Sequence, residues 1–115
     1  MTDGSDDYKH LMEQKRFLGE IEQGVRAANR EIIHQHIPEL NRDTILKFAV
    51  SVGRLRASYL QAVLRLSVGE RGEPADEQEI ADVKRKREMY EEALMGFEAL
   101  RHAIERGYID AGVVG

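Results

Sequence analysis

Glu31 and His34, in the stretch EIIHQH, stand three positions apart in a run that carries no helix breaker until Pro38. Residues three apart share one side of an α-helix, so a carboxylate and an imidazole at this spacing could ligate one metal ion together. Little else in the chain offers reactive groups. There is no cysteine, which excludes disulfides, thiolate metal sites and cysteine nucleophiles. Ser51, Ser58 and Ser67 lack a nucleophile elbow, and no general base is arranged beside them. The glycines are dispersed, and GERG at 69–72 lacks the lysine and strand context of a phosphate-binding loop.

Two basic features could meet phosphate. KRKR at 84–87 is followed by Glu88, Glu91 and Glu92, at spacings that neutralise it along a helix. Lys47, Arg54 and Arg65 form a better-ordered line, yet no aromatic residues interleave them for base stacking. The net charge is −4, whereas nucleic-acid binding needs a concentrated positive field. Nucleic acid is therefore not an expected partner.

Glu31-x-x-His34 resembles half of the ligand set of di-iron carboxylate helix bundles, and that resemblance implies a metal-dependent helical enzyme. The ligands of such a bundle project into its core. Here the apolar residues of the segment centre on Leu18, Val25 and Ile32, and Glu31 and His34 fall nearly opposite them. His36 lies on the apolar side, at the segment's end. No metal or other cofactor is expected. Arg30 and His36, with five residues between them, resemble the R-x4-6-H element of HEPN-type ribonucleases, which are small helical dimers. That resemblance covers these two residues and implies a ribonuclease as the alternative to a non-catalytic role. The residue after the arginine is Glu31, and the pair lies early in the chain.

These groups are expected to sit on helices. With 115 residues the chain fits one domain, and 33% charged residues with only two prolines suit long solvated helices. Tyr8, Leu11, Met12, Leu18, Ile21, Val25, Ile32, Ile33 and Ile37 recur at helical spacing, predicting a first helix over 6–37 that Pro38 ends. Ser5 or Asp6 is the candidate N-cap. A second helix is predicted over 40–69, opened by Pro38 or capped by Asn41 and stopped by Gly69. A third, over 75–106, begins after Pro74, carries Asp76, Glu77 and Glu79 in its first turn, and stops at Gly107. Its apolar stripe is Ile80, Val83, Tyr90, Leu94, Phe97, Leu100 and Ile104. Residues 108–115 read as a short flexible tail, frayed or lightly packed, and GVVG is too short to count as a strand. The expected fold is all-α, an antiparallel up-down-up hairpin of three long helices.

The second helix bears on assembly. Its polar residues, Lys47, Ser51, Arg54, Ser58, Gln61 and Arg65, form one narrow stripe, and no acid occurs between Thr44 and Gly69. The remaining apolar arc spans roughly 270°, against about 100° for an ordinary surface helix. Two neighbours from the same chain do not cover it, so a homodimeric bundle is expected. Arg56 points away from the polar stripe and needs an acceptor, because its guanidinium keeps its charge. Antiparallel register makes Glu22 the candidate partner, within the chain or across the dimer; the alternative is that Arg56 snorkels to water past a gap in the bundle. The function expected is that of a non-catalytic oligomeric interaction or regulatory protein, cytoplasmic and with no membrane span.

Overall fold

The computed structural model describes residues 4–112. They form α1 (Gly4–His36), β1 (Leu40–Asn41), α2 (Arg42–Leu64), α3 (Glu77–Glu105) and β2 (Ala111–Gly112). The chain is thus mostly helical, as its periodicity demands. α1 starts earlier than expected, at Gly4, which places Asp6 and Asp7 in its first turn where the helix dipole favours acids. At the other end, Ile37 N–H still bonds Ile33 C=O at 2.7 Å, and Pro38 follows.

Asn41 caps α2. Its backbone is extended, with φ −89 and ψ 162, and its Oδ1 accepts the Thr44 N–H at 2.8 Å. The helix stops at Leu64, well short of Gly69. Beyond Arg65 the backbone finds other acceptors. Ser67 N–H donates to the Glu79 carboxylate at 3.1 Å, and Gly69 N–H donates to Glu73 C=O at 3.0 Å. Gly72 N–H closes a tight turn on Gly69 C=O at 2.9 Å, with Gly72 at φ +82. Glu73 Oε2 accepts Arg71 N–H within the same turn, at 2.9 Å. These carboxylates hold the connection in place of a further helical turn. α3 then begins at Glu77, with Asp76 C=O accepting Ile80 N–H at 3.0 Å.

The end of α3 is a Schellman cap. Tyr108 N–H reaches Ala103 C=O at 2.8 Å, and Gly107 N–H reaches Ile104 C=O at 3.0 Å. Gly107 adopts φ +76, a left-handed conformation that a Cβ disfavours. Gly107→Ala is therefore expected to destabilise the chain by about 1 kcal/mol in urea unfolding. An unchanged midpoint would show that this cap carries no weight.

The described residues divide into two compact units. One contains α1 and residues 103–110. The other contains the strand pair, α2 and α3 up to His102. In the second unit α2 and α3 run antiparallel, since Phe48 stacks on Phe97 and, farther along α2, Tyr59 stacks on the earlier Tyr90. The ring centroids are 5.8 and 6.1 Å apart, each pair 19° from parallel. Val52 and Ala62 are buried on α2, and Val83, Tyr90, Leu94, Phe97 and Leu100 of α3 are half-buried. Ile80, expected in that stripe, is 49% exposed.

The segment after Gly107 differs from the loose tail expected. Ile109 is only 4% exposed. Leu40 and Asn41 pair in parallel with Ala111 and Gly112, so a two-residue strand does form. A two-residue pairing leaves no alternation for a sequence to display. Residues 113–115, the rest of that tail, lie outside the described residues.

Candidate functional site

In the first unit the best-defined polar constellation centres on Arg30. Its Nη1 donates to Gly107 C=O at 2.7 Å, and its Nη2 donates to both oxygens of Asp110, at 2.9 and 3.0 Å. The guanidinium thus holds the helix-ending glycine and the acid three residues beyond it, in the forked geometry arginine is shaped for. Both side chains of the pair are 50% exposed. The arginine of the ribonuclease-like element is therefore engaged in fixing the chain's C-terminal segment. His36 is exposed. No sequence signal linked Arg30 to Asp110, because the two are 80 residues apart.

Glu31 and His34 are exposed, and with Ala27 and Arg30 they line a shallow surface pocket on α1. Among the described residues, no three histidine or acidic side chains gather closely enough to hold a metal ion. Glu31→Ala and His34→Ala are expected to change stability by no more than about 0.5 kcal/mol, as exposed substitutions generally do. A clear fall in melting temperature of either variant would contradict that placement. The residues half-buried on this stretch are Asn29 and Ile33 of α1, and Ile37 just past its end. The stripe expected to face a core stays open instead, with Leu18, Val25 and Ile32 at 60%, 53% and 55% exposure. None of the residues of α1 is buried.

In the second unit Arg56 is exposed rather than enclosed, and its hydrogen bond goes to a phenol rather than a carboxylate. Its Nε donates to the Tyr90 hydroxyl at 2.9 Å, and its guanidinium carbon lies 5.2 Å from the centroid of the same ring. Tyr90 also stacks on Tyr59, so one ring of α3 meets two residues of α2. An aromatic face and a hydroxyl together satisfy a cation that cannot be neutralised. Glu22, the acid expected beside Arg56, is exposed on α1 in the other unit.

The cationic features are mostly paired within their own helices. Lys47 bonds Asp43 at 2.9 Å, one turn earlier, instead of an acid from a neighbouring helix. Arg54 and Arg65 are exposed, and Arg65 is the C-cap of α2. In KRKR, Lys84 meets Glu88, Arg87 meets Glu91, and Arg85 and Lys86 share Asp82. The hydrogen bond from Arg85 outweighs desolvation and holds the Asp82 carboxyl below its ordinary value, with Lys86 adding to the effect. Asp82 therefore stays charged to lower pH than an ordinary aspartate, and its contribution is lost as pH falls through that depressed pKa.

What the second unit offers a partner is apolar surface. Between α2 and α3 runs a shallow groove floored by Phe48, Leu55, Met89, Ala93 and Gly96, with Arg85, Glu88 and Glu92 on its rim. On α2, away from the stacked rings, Leu46, Val50, Leu60 and Leu64 are 55%, 54%, 52% and 86% exposed. Two paired helices can each cover one side of the other, and α2 has apolar residues on more than one side. Among the described residues, no helix is long and apolar enough to cross a membrane. No family model, curated protein or solved structure matches this chain.

Proposed function

We propose that the chain is a non-catalytic helical interaction or regulatory protein of the cytoplasm, working as a homodimeric bundle in which the three helices run up-down-up. The observation that carries this reading is the apolar surface left open on α1 and α2. Tyr8, Leu11, Phe17, Leu18, Ile21 and Val25 of α1 are between 49% and 64% exposed, alongside the four large residues of α2. Covering a half-exposed leucine or valine recovers on the order of 1 kcal/mol. On each helix these residues recur over several turns, and contiguous apolar surface beyond a few hundred Å² is more than a monomer ordinarily shows to water.

The paired charges of KRKR and the occupied guanidinium of Arg30 support the same reading, since neither presents a free cationic centre to a substrate. Sedimentation equilibrium of the purified chain tests it, with a dimer expected at micromolar concentration. A monodisperse monomer would overturn the assembly. Metal analysis returning about one iron or zinc per chain would overturn the non-catalytic role.

A further inference from the structure

The side of α2 turned away from α3 carries an apolar pattern that reads the same from either end. Leu46, Val50, Gly53, Ala57, Leu60 and Leu64 follow at intervals of four, three, four, three and four. At about 100° per residue they stay within an arc of roughly 80°, centred about 130° from the Val52–Tyr59 side that meets α3. All six are exposed, and a Cβ built on Gly53 would meet nothing within 4 Å. Alternating four- and three-residue steps are the seam by which one helix packs along another. The seam is open.

Its residue types mirror about position 55. Leu46 matches Leu64, Val50 matches Leu60, and Gly53 matches Ala57. Large side chains stand at both ends and small ones in the middle. A two-fold interface requires that a surface meet its own reverse, which a partner of different sequence does not require. We infer, resting on the oligomeric reading above, that this seam is where a second copy of the chain docks, α2 against α2, antiparallel, with the axis beside position 55. Leucine then meets leucine at each end. Gly53 and Ala57 face their counterparts at the crossing, where small side chains let the backbones approach.

The dimensions suit such a contact. The seam is about 27 Å long at 1.5 Å per residue, and two helices meeting over that length remove on the order of 1,000 Å² from water, the lower bound for a specific interface. Its edges are cationic, with Arg54 on one side and Arg56 turned onto Tyr90 on the other. Association therefore comes from apolar contact, and screening by salt strengthens it.

The absence of cysteine makes the pairing directly readable, because introduced thiols report without background. Under mild oxidation, Val50→Cys mixed with Leu60→Cys should give a disulfide-linked dimer. Val50→Cys alone should not, since its two copies would lie about 15 Å apart, beyond disulfide reach. Leu60→Glu should weaken the dimer at least about tenfold in sedimentation while leaving helicity by circular dichroism unchanged. Should that variant lose its helicity, the crosslinking pattern decides. A dimer of the unaltered chain that persists in Leu60→Glu, or that crosslinks through Val50→Cys alone as readily as the mixture, overturns the antiparallel seam while leaving the oligomer in place. A monomeric unaltered chain overturns both.

Discussion

Replacing Tyr90 with alanine is expected to destabilise the chain by about 3 kcal/mol, among the largest effects of any single substitution in the α2–α3 hairpin. Removing a fully buried aromatic ring costs about 3–5 kcal/mol, and Tyr90 is half-buried, so its packing against Tyr59 contributes near or below the low end of that range. The Arg56 contacts add to it. The cation above the ring, 5.2 Å from its centroid, contributes about 0.5–1 kcal/mol. The hydrogen bond from Arg56 Nε at 2.9 Å contributes about 1 kcal/mol. Tyr90→Phe separates these parts, because it keeps the ring and deletes the hydroxyl, and it should cost about 1 kcal/mol. Urea unfolding of both variants reads the ladder. A Tyr90→Ala effect below about 1 kcal/mol, or Tyr90→Phe as damaging as Tyr90→Ala, would mean that the stacked ring does not hold the hairpin.

The second large effect lies in the segment after α3. Ile109→Ala should destabilise by about 2–4 kcal/mol, because Ile109 is only 4% exposed and a buried isoleucine reduced to alanine loses its transfer energy and leaves a cavity. A frayed tail would give an effect within about 0.5 kcal/mol. The two descriptions of residues 108–112 therefore differ severalfold in a single melting experiment. Asp110→Asn is the companion variant. It removes the charge facing Arg30 but keeps an acceptor oxygen, so a loss well short of that in Ile109→Ala would assign the anchoring chiefly to the buried side chain rather than to the exposed ion pair.

What could be read from sequence follows from the range of the forces concerned. Helical periodicity, the Asn41 cap and the left-handed stop at Gly107 are each set within a few residues, and all three elements are present. The pairing of KRKR is equally local, since its acids, Asp82 on the preceding turn included, lie within one turn of it. The early end of α2 could not be read. Its apolar pattern continues to Val68, but the backbone there is diverted to Glu79 and Glu73, and that choice is made by the position of α3.

The same distinction holds at the polar groups. That Arg56 must find an acceptor follows from its residue type alone, because a guanidinium cannot lose its charge. That a tyrosine supplies it is set by packing, since which residue of α3 lies opposite position 56 depends on how the hairpin closes. Arg30 is the stronger case. Along the chain it is one more cation on a charged helix. Folded, it clamps Gly107 and Asp110, because residues some 80 positions apart become neighbours only when the chain closes on itself, and no local propensity encodes that closure.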